Sequence, residues 1–216
     1  MRRPLIIILT VLLIDQALKF WIKTNMYLGQ EYRIAGDWFI IHFTENNGMA
    51  FGLEFAGEYG KLFLSLFRIV AVFGIGWYLS RLVIEKAHPL LITSMSLILA
   101  GAIGNIIDSA FYGIIFSASD FRLAEFLPAD GGYSSLLHGK VVDMFYFPLI
   151  QNAHFPSWFP IWAGEEFEFF RPVFNFADAS ISTGVITLFI FQKKFFSDTD
   201  INAEQEVKSS SDQPQA

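Results

Sequence analysis

With 53% hydrophobic residues and only 17% charged over 216 positions, 25 of them phenylalanine, the chain has the composition of a membrane protein. Soluble domains carry about 25% charged residues. The net charge of −6 argues against a nucleic-acid partner, and the lack of cysteine excludes disulfides, thiolate nucleophiles and cysteine-held metal.

Residues 4–22, PLIIILTVLLIDQALKFWI, are long enough as a helix to cross about 30 Å of hydrocarbon. The preceding MRRP resembles a signal-peptide start, but Asp15 and Lys19 follow directly and no small-x-small cleavage site appears, which favours a retained span. Residues 38–44, WFIIHFT, read as a strand; ENNG then offers turn chemistry and MAFGLEF a returning partner. Residues 62–84 and 89–108 read as the second and third spans, joined by a short link. The long connection 109–172 is rich in aromatics, and SWFPIW and EEFEFFRP read as a belt at the lipid–water boundary. Within it, HGKVVDMFYF reads as a strand or an interfacial turn. Residues 173–192 form the fourth span, and the polar stretch 197–216 reads as a disordered cytoplasmic tail. The expected fold is an all-α membrane protein with four transmembrane helices, a small extracytoplasmic β-rich segment and a long aromatic outer connection. Residues 1–196 form one membrane domain, with 23–61 and 109–172 as its outer segments.

Lys and Arg set the orientation. Arg2, Arg3, Arg81, Lys86, Lys193, Lys194 and Lys208 crowd the termini and the short link. Lys23, Arg33, Lys61, Arg122, Lys140 and Arg171 are spread over the two long connections. Both termini are therefore expected in the cytoplasm and both long connections outside.

At 1.5 Å per residue, Asp15, Lys19, Arg68, Asn105, Asp108, Asn175 and Asp178 all lie within roughly 3–10 Å of the outer boundary. Each has a plain structural reading as well. Asp15 and Lys19 are spaced as a helix ion pair, and Arg68 has the reach to snorkel to the interface. Asp108 ends the third span, where its charge opposes the helix dipole and calls for a cation. Asn46, Asn47 and Gly48 suit a hairpin turn, and Gly101 and Gly104 suit close helix packing. His42, His88, His138 and His154 show no metal spacing and are expected at the surface or as caps. Asp178 has no basic residue within four positions, so it needs a proton or a partner from elsewhere. Asp143 is a second carboxylate in a similar apolar setting. Two carboxylates in one shallow site do not both ionise easily; they share a proton, as in aspartic proteases.

Five patches in order resemble lipoprotein signal peptidase, also called signal peptidase II. They are DQALKFWI (15–22), NNGMAFGL (46–53), GAIGNIIDSAFYG (101–113), GKVVDMF (139–145) and FNFADASISTG (174–184). The resemblance implies a multi-pass aspartic endopeptidase of the bacterial inner membrane, with its active site near the outer face; a monomer is expected. It would cut prolipoproteins before a diacylglyceryl-modified cysteine, in contact with membrane lipid and without cofactor or metal. By position, Asp143 and Asp178 match the catalytic dyad. Asp15, Lys19, Asn46, Gly48, Asn105, Asp108 and Asn175 match positions that support the site or hold substrate. Where the family usually has arginine after the aspartate of the third patch, this chain has Ser109, so that residue's task falls to another cation such as Arg122 or Lys140, or goes unfilled. Insertions lengthen the intervals 108–143 and 143–178, but the HGKVVD context points to Asp143 over Asp120 or Asp130. A serine protease would need a histidine within the spans, and none lies there. The rival reading is a small polytopic transporter with Asp178 as a proton relay.

Overall fold

A computed structural model describes residues 2–47, 57–154, 156–158, 160, 164–169 and 172–211. Gly48, the MAFGLEF stretch and parts of both aromatic segments lie outside the described residues. Helix α1 (Arg2–Asn25) leads into a hairpin of β1 (Glu31–Ala35) and β2 (Phe39–Asn46). Helices α2 (Gly57–Ile84) and α3 (Pro89–Ile107) follow. A π-helical turn (Asp108–Tyr112) and the short α4 (Gly113–Ile115) continue α3. Strands β3 (Val141–Tyr146), β4 (Ile150–His154) and β5 (Glu166–Phe169) precede α5 (Phe176–Ser211).

Among the described residues, three helical stretches are long and apolar enough to cross a membrane: Arg2–Asn25, Leu62–Ile84 and Pro89–Ile115. Their lipid-compatible surface is plain in Leu5, Ile6, Leu9 and Leu13 of α1 and Phe63, Phe67, Val70 and Phe73 of α2, all exposed. α1 is amphipathic in the inverse sense. Its buried residues Val11, Asp15, Lys19 and Lys23 recur every four positions, so the charged face turns inward and the apolar face outward.

Close backbone approach brings α3 and α5 together. A Cβ on Gly101 would collide with the Ala177 carbonyl, and one on Gly184 would meet Ser94 O at 2.7 Å. A Cβ on Gly104 would lie 2.8 Å from Asp15 Oδ2 and 3.2 Å from the Ala177 Cβ. Small residues at these levels let the polar groups of three helices meet.

β1–β2–β3 form an antiparallel sheet, with Thr44 opposite Asp143 and Glu45 opposite Val142. β4 and β5 form a separate hairpin. The sheet rests on a core of Ile22, Met26, Phe43, Tyr112, Phe116, Val142 and Met144, which joins the end of α1 to β2, β3 and the segment after α3.

Several boundaries differ from the sequence reading. Glu45 and Asn46 belong to β2 rather than to a turn, because β3 extends the ladder to Asn46↔Val141. Asp108 does not end the third span; the helix passes through a π turn to Ile115, held where Gly139 N donates to Ser109 O at 2.8 Å. Lys23 belongs to the last turn of α1 and is buried, rather than opening the outer connection. Asn175 precedes α5 instead of lying inside it, since its side chain is spent on the cap described below. The α5 backbone runs on past Gln192 to Ser211.

Candidate active site

The first polar layer is built on α1. Lys19 is fully buried and takes Asp15 at 2.9 Å and Asp108 at 2.8 Å. The i, i+4 pair expected from sequence is therefore present, with the cation that Asp108 called for. Gln16 locks the same cluster: its Nε2 donates to Asp108 Oδ1 at 2.9 Å and Asp15 Oδ2 at 3.1 Å, while its Oε1 accepts from Tyr112 at 3.2 Å. Two carboxylates on one ammonium, with amide and backbone donors on the remaining lone pairs, meet the requirement that buried charge be paired and hydrogen-bonded. Asp108 Oδ2 also accepts from Val142 N at 3.2 Å, which ties the π turn to β3 one residue before Asp143.

The second layer is the start of α5. Asn175 Oδ1 accepts from Asp178 N at 2.9 Å, and Asp178 Oδ2 accepts from Asn175 N at 3.3 Å. This is a reciprocal capping box, which satisfies two backbone donors otherwise orphaned at a helix start. Asp15 Oδ1 takes a third donor, Ala177 N, at 2.9 Å. The Asp178 carboxylate thus stands in the first turn of a helix, where the dipole favours negative charge.

Amide side chains join the layers. An ammonium only donates, so Lys19 Nζ, 3.0 Å away, requires the Asn105 carbonyl oxygen to face it. Asn105 Nδ2 must then point the other way, and it donates to Asp178 Oδ1 at 2.8 Å. Asn175 Nδ2 donates to the same Asn105 oxygen at 3.1 Å and to Asp143 Oδ1 at 2.7 Å. Lys19 therefore sets the direction of both amides, and both carboxylates are held by Asn175. Asn46, at the end of β2, also hydrogen-bonds to Asp143.

The two carboxylates have unlike settings. Asp143 is buried in β3, and Asp178 is half-buried at its helix start. Burial, and next the neighbouring Asp178 charge, push the Asp143 carboxyl up to about 7. Arg68 of α2 interacts electrostatically with both Asp178 and Asp143, so it contributes to the site beyond its reading as an interfacial residue.

Of the residues singled out from sequence, the structure gathers Asp15, Lys19, Asn46, Asn105, Asp108, Asp143, Asn175 and Asp178 into one bonded network, and Gly48 lies outside the described residues. Asp120 and Asp130 are exposed. Gln16 and Tyr112 were missed, although Gln16 sits inside the DQALK patch. A second buried cluster was missed as well. Lys23 binds Glu45 of β2, reaches Ser119 Oγ at 2.8 Å and lies 4.8 Å from the Tyr133 ring centroid. Lys140 approaches the other Glu45 oxygen at 3.3 Å. The four-residue recurrence from Asp15 through Lys19 to Lys23 was the available signal. Ser109 donates to Asn105 O at 3.0 Å, one turn back, and Arg122 is exposed.

Residues 7–194 match the family described as signal peptidase (SPase) II. A lipoprotein signal peptidase of Porphyromonas gingivalis is 56% identical over 185 residues, covering 85% of this chain and 80% of the relative. One from Amoebophilus asiaticus is 37% identical over 191 residues, covering 87% of this chain and 76% of the relative. A solved bacterial membrane enzyme, 22% identical, superposes with a TM-score of 0.58 and covers 92% of each chain. Another, 24% identical, gives a TM-score of 0.57 over 88% of this chain and 92% of the other. On the family match and these identities, the chain belongs to signal peptidase II, a family of membrane proteases that process lipoprotein signal peptides.

Proposed function

We propose that this protein is an intramembrane aspartic endopeptidase, with Asp143 and Asp178 as its catalytic dyad, that removes signal peptides from prolipoproteins carrying a diacylglyceryl-modified cysteine. The observation that carries this reading is Asn175, which binds Asp143 through its amide at 2.7 Å and Asp178 through its backbone N–H at 3.3 Å. Two acids from separate elements, a strand and a helix start, are thereby brought to one residue.

In this mechanism Asp143 holds the shared proton, in keeping with burial that raises it to about 7. Asp178, supplied with hydrogen bonds from Asn105 and the Asn175 backbone, acts as the carboxylate base. It takes a proton from water, the hydroxyl oxygen bonds to the scissile carbonyl carbon, and Asp143 gives its proton to the carbonyl oxygen. As the tetrahedral species collapses, the C–N bond breaks, the leaving amine takes the proton from Asp178, and one hydroxyl returns its proton to Asp143 as the C=O re-forms, which restores the dyad. Asp15, Lys19, Asp108 and Asn105 orient the pair. Asn46 and the β2 strand provide polar groups for aligning a peptide backbone. Acyl chains left in lipid supply binding free energy remote from the reacting bond.

This reading places α5 as a fourth span packed along α3, both termini in the cytoplasm, the site near the outer face of a bacterial inner membrane, and the active unit as a monomer. The test is cleavage of a lipid-modified prolipoprotein by purified protein. Asp143→Asn and Asp178→Asn should each lose at least about 10³-fold in kcat. The parent should lose kcat/KM on the alkaline side with an apparent pKa near 7 as the shared proton leaves. Cleavage retained by either variant ends the dyad assignment; vesicle uptake without proteolysis would favour the transporter.

A further inference from the structure

Phe121 is 102% exposed at a backbone φ of +100°, and Leu127 is 65% exposed at +52°. Bulky side chains at positive φ are strained, and such conformations persist only where the surroundings hold them. Here they do. Ser117 N donates to Glu125 O at 3.0 Å, Glu125 N to Ser117 Oγ at 2.9 Å, and Leu127 N to Ile115 O at 2.8 Å. The segment is a fixed mount that presents apolar tips.

Its position relative to α1 is equally defined. Ala124 N donates to Lys23 O at 3.1 Å, Leu28 N donates to Ser119 O at 3.4 Å, and the Phe126 ring lies 5.2 Å from that of Phe20. Residues 119–126 therefore cross the last turn of a helix long and apolar enough to span a bilayer, beside exposed Phe20 and Trp21. The end of a span is where hydrocarbon gives way to headgroups, whichever way the helix runs.

We propose that residues 120–127 form a wedge seated in the bilayer interface, with Phe121 and Leu127 inserted among lipid headgroups and upper acyl chains. The occupant is lipid because the exposed apolar surface of the loop continues the lipid-facing surface of α1 through the Phe20–Phe126 contact. Charge does not account for it: Asp120, Arg122 and Glu125 are exposed and sum to −1, which gives no attraction to anionic lipid. Seating by apolar burial is also insensitive to salt.

The chain contains no cysteine, so single-cysteine variants are clean reporters. Full-length Phe121→Cys and Leu127→Cys would carry a polarity-sensitive dye, with Leu13→Cys on the exposed face of α1 as a hydrocarbon reference and Asp130→Cys as an aqueous one. Each would be reconstituted into vesicles of phosphatidylethanolamine and phosphatidylglycerol, with nitroxides at the headgroup or high on the acyl chain. At Phe121 and Leu127 we expect blue-shifted emission, quenching by both nitroxides, and iodide quenching about fivefold weaker than at Asp130, unchanged by added salt. Iodide quenching equal to that at Asp130, with no lipid quenching, overturns the proposal. So does shielding that appears only at high protein density, which would mean a second copy covers the loop. The readout is depth rather than cleavage, so it is independent of the proteolytic mechanism.

Discussion

Lys19 and Lys23 stand one turn apart on the same buried face of α1, yet their surroundings are inverted. Lys19 serves two carboxylates, Asp15 and Asp108, and its cluster carries one excess negative charge. Glu45 is served by two lysines, Lys23 and Lys140, and that cluster carries one excess positive charge. The first cluster opens onto Asn105 and, through it, Asp178. The second is closed by Ser119 and the rings of Phe116 and Tyr133, and its partners belong to β2 and the segment before β3. The same residue type on the same helix face thus does different work. Lys19 orients the amides that hold Asp143 and Asp178, whereas Lys23 fastens the sheet to α1.

The largest effect should come from breaking the Lys19 cluster. Lys19→Met leaves Asp15 and Asp108 buried without a cation and frees the Asn105 amide to turn; a stability loss of ~3–5 kcal/mol together with loss of cleavage is expected. Thermal unfolding and turnover measured on one preparation would check both. Asn105→Ala isolates the orienting role, because it removes the donor to Asp178 while the Lys19 ion pairs remain. It should lower kcat about 10²-fold with the melting temperature nearly unchanged. Equal losses of stability in these two variants would contradict the division drawn above.

Lys23→Met should show the opposite signature. Glu45 keeps Lys140 at 3.3 Å, so the loss is limited to about 1–3 kcal/mol, with kcat falling far less than in Asn105→Ala. A Lys23 variant that unfolds normally but does not cleave would move Lys23 into the catalytic machinery.

The smallest effect is a pH dependence. Asp143 is raised from 3.8 to about 7, so between these values the folded protein keeps a proton that the unfolded chain has released. The unfolded state then binds fewer protons, and this group's contribution to stability falls as pH rises from about 4 to 7 and is level above. Asp143→Asn removes the slope. Its melting temperature should exceed that of the parent at pH 8, with the gap narrowing towards pH 4. A constant gap would mean that the Asp143 charge is not what burial penalises.

Much of the site was legible because costly groups in apolar segments stand out one at a time. Asp178 in the last apolar stretch and Asp15 and Lys19 in the first announce themselves by residue type and spacing alone. Lys23 was no less informative, but a lysine at the end of an apolar run looks the same from sequence whether it is solvated or enclosed. Its enclosure depends on Glu45 and on Ser119, 22 and 96 positions away.

The membrane character and the presence of the first three apolar helices followed from the chain's own composition and local order, since hydropathy and helix periodicity depend only on near neighbours. Tertiary structure alone decided that Asp15 would take the Ala177 amide, that Asp108 would sit on a π turn, and that Lys19 would dictate which way two distant amides face. Those outcomes come from satisfying buried donors and charges across elements about 70 to 160 residues apart. No local pattern encodes such pairings, because the free energy that selects them exists only once the helices have packed.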